Sequence, residues 1–283
     1  MLQQVSIAEA LSWAKKHLQG GESPALDAKV LLCYCLQCRE SYLHTWPEKL
    51  LTQEQNLQFQ QLVNKRQLGQ PVAHLTGERD FWTLTLQVSP KTLIPRPETE
   101  LLVEQALALP LPDNANILDL GTGTGAIALA LASERPNWSV TAVDFDEDIV
   151  QLAKVNAHAN KITNVQIMQS DWFSALSAQQ FDLIVSNPPY VEPDSPFLLQ
   201  GDVRFEPLSA LTADEEGLKD IRLIVEQAAH FLNNKGYILL EHGHLQQQSV
   251  NNLLEINGFS NVSCIQDFAN FARISVANFS NTY

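Results

Sequence analysis

Basic residues are scarce in this chain: 18 Lys and Arg stand against 32 Asp and Glu over 283 residues, a formal net charge of −14. A surface that acidic repels phosphate chains, which argues against duplex nucleic acid as a partner. The basic pairs present, Lys15-Lys16 and Lys65-Arg66, are scattered rather than drawn into a stripe. Apolar runs are also short, none approaching the ~20 residues that a membrane span needs. The opening Met1-Leu2-Gln3-Gln4 lacks the basic-then-apolar pattern of a secretory signal. A cytoplasmic protein with no membrane partner is expected. Cysteine is limited to Cys33, Cys35, Cys38 and Cys264, three in one helical stretch and one remote, so no disulfide framework is expected. No metal site is expected either, because Cys33-x-Cys35-x-x-Cys38 lacks a fourth ligand in the usual spacing and Cys33 and Cys35 would point to different helix faces.

With 45% hydrophobic and 18% charged residues, the chain can bury a core and divide into one small and one large domain. Over residues 1–78 the apolar positions recur at helical spacing: Ile7, Ala10, Leu11 and Ala14, then Ala28, Leu31, Leu32 and Cys35, then Leu57, Leu62 and Val63. Ser23-Pro24, Trp46-Pro47 and Thr52 punctuate them, which predicts a small helical bundle. Phe81-Trp82-Thr83-Leu84-Thr85-Leu86-Gln87-Val88 alternates at period two, so residues 79–96 form a hairpin-like connector. From residue 97 to 283 strands alternate with helices, the pattern of a doubly wound α/β sheet. Seven strands are expected, at residues 116–120, 140–144, 165–169, 181–186, 237–241, 262–266 and 273–277, with the last two antiparallel. Helices are expected at 126–133 and 218–232, and Asp214-Glu215-Glu216 reads as a solvated helix start.

Gly121-Thr122-Gly123-Thr124-Gly125 lies directly between a strand and a helix, where missing side chains let a ligand approach the backbone and the helix N-terminus. Ala126 also completes a dinucleotide fingerprint, so the turn alone leaves nicotinamide cofactors open. Asp144, at the end of the next strand, is placed to accept hydrogen bonds from ribose hydroxyls under either reading. Together they define an adenosine-containing ligand. In Ser170-Asp171-Trp172, the aromatic can flank adenine while Asp171 reaches its exocyclic amine. Asp119, just before the turn, either meets the amino-acid end of such a ligand or caps the turn.

Asn187-Pro188-Pro189-Tyr190 follows the fourth strand, which in a doubly wound sheet lies beside the first across the topological switch point. An amide or aromatic amine nitrogen is a poor nucleophile because its lone pair is delocalised, so it needs positioning more than deprotonation. The Asn187 side-chain oxygen and the Pro188 carbonyl can each accept one N–H, aiming the remaining electron density at an electrophilic methyl group. Two prolines hold those acceptors stiffly, and Tyr190 offers a π face to a planar group. The seven histidines are scattered, and Glu241-His242-Gly243 is read as a strand end near the pocket, with His242 the candidate for a role. This tetrad alone does not separate a side-chain amide from a base amino group extruded from nucleic acid.

Five segments now carry a resemblance: Ile94-Pro95-Arg96-Pro97-Glu98-Thr99-Glu100, Asp119-Leu120-Gly121-Thr122-Gly123-Thr124-Gly125, Gln169-Ser170-Asp171-Trp172-Phe173, Ser186-Asn187-Pro188-Pro189-Tyr190 and Asp202-Val203-Arg204-Phe205-Glu206-Pro207. With them the chain resembles, over essentially its whole length, the HemK/PrmC-type peptide chain release factor glutamine methyltransferases. The resemblance implies a seven-stranded Rossmann-like domain binding S-adenosyl-L-methionine. It implies methylation of the side-chain amide of the glutamine in the Gly-Gly-Gln motif of class I release factors, in support of translation termination. Cofactor contacts would fall on Gly121, Thr122, Gly123, Thr124, Gly125, Asp144, Trp172 and Asn187, and substrate contacts on Asn187, Pro188, Pro189 and Tyr190. The helical region would dock the protein substrate, with the enzyme a monomer. Arg96 and Glu98 would either shape the pocket or pair with each other. The rivals are a ribosomal-protein glutamine methyltransferase, a nucleic-acid amino-group methyltransferase, a dehydrogenase, and a non-enzymatic sensor of the same ligand.

Overall fold

The computed structural model describes residues 5–177 and 179–280 and resolves into two compact units, one of residues 1–78 with 199–205 and one of residues 79–198 with 206–283. The polar opening Met1-Leu2-Gln3-Gln4 lies outside the described residues. No helix among those described is long and apolar enough to cross a membrane.

The first unit is helical: Ile7–His17, Pro24–Leu36, Glu40–Thr45, Gln53–Gln67 and Val72–Thr76. Two of these helices start with reciprocal capping boxes, in which Ser6 and Glu9, then Thr52 and Gln55, satisfy each other's free backbone donors. Their apolar stripes meet in one core of Ile7, Ala10, Ala14, Leu31, Leu32, Phe59, Leu62 and Val63. Leu57, placed on that stripe by the sequence reading, is instead 56% exposed. Phe59 takes its place, because it stands three and four residues before Leu62 and Val63 and so shares their face. Arg66 is no free basic patch. Its Nε donates to Asp27 Oδ2 at 2.7 Å and its Nη1 to Asp202 Oδ1 at 2.6 Å, which ties residues 199–205 to the helices.

The second unit opens on a two-stranded sheet, β1 (Glu78–Phe81) and β2 (Leu84–Gln87). Its main sheet comprises β3 (Asn116–Leu120), β4 (Ser139–Asp144), β5 (Val165–Gln169), β6 (Phe181–Ser186), β7 (Leu232–Glu241), β8 (Phe259–Gln266) and β9 (Ala272–Phe279), in the order β5-β4-β3-β6-β7-β9-β8. The first five in that order run parallel, and β9 is antiparallel to both β7 and β8. Seven strands and the reversed closing pair are as the alternation predicts. Side chains of β3 alternate between two cores: Ile117 packs with Ala126–Glu134 on one face, while Leu118 and Leu120 pack with Lys219–Phe231 on the other. Residues 126–132 of helix Ala126–Glu134 are apolar all round, as a helical stretch enclosed on every side must be.

A second expectation is corrected. Asp214-Glu215-Glu216 does not begin a regular helix: Glu215 and Glu216 have φ of 57° and 58°, a left-handed turn ahead of helix Lys219–Phe231. Arg222 holds this turn by donating Nη2 and Nε to the two carboxylate oxygens of Glu215 at 2.6 and 2.9 Å.

Asp27→Ala should lower the stability of the chain by about 2 kcal/mol, since it leaves the enclosed Arg66 guanidinium one carboxylate short. Urea unfolding midpoints compared with the parent chain measure this.

Candidate active site

Parallel pairing of β3 with β6 sets Leu120 opposite Ser186, so the next residues along each strand, Gly121 and Asn187, emerge side by side at the carboxyl edge of the sheet. Ser186 Oγ reinforces the pairing by donating to the Leu120 carbonyl at 2.7 Å. A cavity of about 610 Å³ opens there, lined among others by Gly121, Thr122, Gly123, Thr124, Asp144, Trp172, Asn187 and Pro189. Gly125, Pro188 and Tyr190 do not line it. Gly125 stands behind the turn, where an added Cβ would come within 3.0 Å of Leu129, and Pro188 is buried.

The turn depends on left-handed backbone at Gly121 (φ 70°) and Gly123 (φ 56°). A Cβ at Gly123 would meet no atom within 4 Å, so the bare backbone faces open space that a ligand can fill. Asp144 Oδ2 accepts from Gly123 N at 2.9 Å, which fixes the carboxylate beside the turn at the end of β4. Its pKa is raised, chiefly by burial, against the pull of three backbone N–H groups. Beyond β5, Ser170 Oγ donates to Trp172 O at 2.7 Å and accepts from Ala175 N at 3.0 Å. That knot sets Trp172 at φ 45°, and an added Cβ at Gly121 would lie 3.5 Å from its ring. Asp171 lines the cavity too, as does Phe145, an exposed aromatic directly after Asp144 that the sequence reading passed over. A volume of this size, an acid beside a glycine turn and a flanking aromatic ring fit an adenosine-containing cofactor.

Asp119 caps the turn. Its Oδ2 accepts from Thr122 Oγ1 at 2.6 Å and from Ala128 N at 3.3 Å, while Oδ1 has no partner among the described residues. Full burial pushes its pKa up to about 7 against those two hydrogen bonds.

On the other side of the switch point, Tyr190 N and Val191 N both donate to Leu211 O, at 3.2 and 2.9 Å. Gln246 Nε2 donates to the Tyr190 carbonyl at 3.0 Å and to Glu216 O at 2.9 Å. Gly217, at φ 77°, passes so close beneath that a Cβ would sit 2.1 Å from Tyr190 O. Asn187 Nδ2 donates to Thr99 Oγ1 at 3.1 Å, Thr99 Oγ1 to Glu241 Oε2 at 2.8 Å, and Tyr190 Oη to Glu241 Oε1 at 3.2 Å. Burial raises the Tyr190 pKa further from neutrality, with the Glu241 charge acting in the same sense, so the phenol remains a donor. The sequence places Thr99 and Glu241 in segments near the pocket but gives neither a role of its own, with His242 the candidate at that strand end. His242 is fully buried outside the cavity lining, with Nδ1 2.9 Å from Gly243 O and Nε2 3.0 Å from Ser275 Oγ. Burial lowers its pKa, which keeps it neutral. Arg96 lines the cavity but pairs with Glu206 at 2.5 Å rather than with Glu98. All four cysteines are free thiols, and no group of three or more His, Cys, Asp or Glu that could hold a metal occurs among the described residues.

Known proteins place this geometry. Residues 97–198 match the methyltransferase small domain and residues 9–77 the PrmC N-terminal domain. A solved T. thermophilus 16S rRNA N2 G1207 methyltransferase, in complex with AdoMet and guanosine, shares the fold with a TM-score of 0.54 at 23% identity, covering 71% of this chain and 49% of that one. The domain over residues 97–198 is thus that of a methyltransferase, a class whose cofactor is S-adenosyl-L-methionine. The release factor glutamine methyltransferase of Shewanella oneidensis is 55% identical over 98% of this chain and 97% of its own length, and that of Escherichia coli 49% identical over 96% and 97%. This chain belongs to the release factor glutamine methyltransferase family.

Gly123→Ala should weaken cofactor binding at least tenfold by calorimetry, since the new methyl occupies the ligand's approach, and cost about 1 kcal/mol of stability from left-handed strain. Asp119→Asn should alter the dependence of stability on pH. From the ordinary 3.8 up to about 7, the folded chain keeps a proton on Asp119 that the unfolded chain has released. The stability this carboxyl contributes is therefore complete below pH 3.8 and is lost as pH rises through about 7, by up to about 4 kcal/mol. Urea midpoints between pH 4 and 8 should fall for the parent chain and run flatter for Asp119→Asn.

Proposed function

We propose that this chain methylates the side-chain amide nitrogen of the glutamine in the Gly-Gly-Gln motif of class I peptide chain release factors. The observation that carries the reading is the setting of Asn187. It lines the cavity beside Gly121, and its Nδ2 is committed to Thr99, which leaves Oδ1 as the end that faces a substrate. Gly121, Thr122, Gly123 and Thr124, with Asp144 and Trp172, would hold S-adenosyl-L-methionine, which would supply a methyl group on a sulfonium already activated for transfer. Asn187 Oδ1 and the Pro188 carbonyl accept the two amide N–H groups and aim the nitrogen. Both are negative ends of dipoles, so they also favour the positive charge that develops there. Pro188 and Pro189 keep the acceptors from drifting, and Tyr190, which stands outside the cavity lining, anchors the loop through its hydroxyl on Glu241. The proton leaves to water afterwards, so no side-chain base is needed.

Residues 1–78 are read as the region that docks the release factor, and residues 97–283 as the methyltransferase domain. A net charge of −14 supports a protein substrate over nucleic acid. A monomer working in the cytoplasm completes the reading.

Incubation of the purified chain with cofactor and release factor should add one methyl group to the glutamine of the Gly-Gly-Gln peptide, seen by mass spectrometry. Asn187→Ala should reduce kcat at least ~100-fold while cofactor affinity is largely kept. Methyl transfer to RNA, DNA or a ribosomal protein with none to the release factor would overturn the assignment.

A further inference from the structure

We propose that Thr99 and Glu241 are positioning residues: the Glu241 carboxylate directs the Thr99 hydroxyl, and that hydroxyl sets which end of the Asn187 carboxamide faces the substrate. The inference rests on Asn187 Oδ1 as the acceptor for the substrate nitrogen. A carboxamide has two ends of nearly equal size and opposite polarity, and only one of them can receive an amide N–H. Proline stiffening of the loop does not choose between them, because a half-turn about the last side-chain bond leaves the backbone where it is. A hydroxyl carries one proton. With that proton given to Glu241 Oε2 at 2.8 Å, Thr99 Oγ1 presents only lone pairs to Asn187, 3.1 Å away, and Nδ2 is the end that fits. The reversed carboxamide would set oxygen against oxygen there and offer the substrate an N–H donor, which repels the amide it has to hold.

Glu241 is built for this task. It is 3% exposed, and its second oxygen accepts from Tyr190 Oη, so both oxygens are engaged by donors in the ionised state. The groups that face it are Thr99 and Glu98 from the turn Pro97–Thr99, Tyr190 after β6 and Arg273 on β9, with neutral His242 next in the chain. Burial pushes its pKa up to about 7, Glu98 acts in the same direction, and Thr99, Tyr190 and Arg273 oppose. A protonated Glu241 can donate to Thr99 Oγ1, which frees the hydroxyl proton for Asn187 Oδ1 and lets the carboxamide turn over. Acid therefore erases the choice without breaking the fold of the loop.

Thr99→Val should cut kcat at least tenfold with the dissociation constant of S-adenosyl-L-methionine kept within about threefold, and Thr99→Ser, which restores a hydroxyl, should recover most of the rate. In the parent chain kcat should fall about tenfold from pH 8 to pH 6 as Glu241 gains its proton, and Glu241→Gln should be slower and lose most of that fall. A direct readout needs no turnover. The side-chain NH2 resonances of Asn187, identified by their absence in Asn187→Asp, should shift between pH 8 and pH 6 in the parent chain, stay fixed in Glu241→Gln and move in Thr99→Val. Should glutamine be methylated with Thr99→Val at full kcat, the relay is wrong and the substrate assignment stands. Should glutamine go unmethylated, the Asn187 resonances still decide: insensitivity to both pH and Thr99→Val would overturn the relay.

Discussion

The pairing of β3 with β6 is the constraint on which the rest of the site depends. Gly121 and Asn187 are 66 positions apart in the chain, yet they follow residues that sit opposite each other in adjacent parallel strands. Neither loop contributes much alone. In the proposed reading the glycine turn binds the cofactor and the Asn-Pro-Pro-Tyr loop holds a planar nitrogen, and methyl transfer demands that the two open into one space at the same edge. The sheet meets that demand by topology, since strands on either side of a switch point diverge in their connections and leave a crevice between them.

The machinery is costly to hold. Asp119 and Glu241 are both enclosed carboxyls at the same edge of the sheet, each pushed up to about 7 by burial. Asp119 retains its place beneath the glycine turn by accepting from Thr122 and from the first turn of helix Ala126–Glu134, so it shapes the cradle without entering it. Arg96 and Glu206 show the same habit at the rim, where a fully enclosed carboxylate meets a guanidinium that is partly open to solvent. Polar groups enclosed by apolar cores accept few arrangements, so they specify geometry at the expense of stability.

Much of this was legible in the sequence wherever the code is local. The glycine turn announces itself because three residues in five lack a side chain between a strand and a helix, and Asn187 because two prolines follow it. Strand positions follow from short β-branched runs, and the helical region from apolar residues at three and four. What escaped the sequence reading is what the register alone creates. Thr99 and Glu241 lie 142 positions apart and meet only because β7 ends beside β6; their segments stand out in the sequence but their pairing does not, and His242 carried the more conspicuous chemistry. Leu57 and Phe59 exchanged roles because a helix of mostly polar residues offers the period little to hold on to. The left-handed pair Glu215 and Glu216 escaped for another reason: non-glycine residues take that conformation only under outside compulsion, here from Arg222 and Gln246.

The clamp on Tyr190 has an entropic consequence. Its amide, its carbonyl and its phenol are each already bonded, to Leu211, Gln246 and Glu241, and Gly217 closes the space beneath. The loop's conformational entropy is thus surrendered when the chain folds and not when the substrate arrives. Any group that docks against this loop finds little left to freeze, so its binding forfeits less entropy than docking on a mobile loop would.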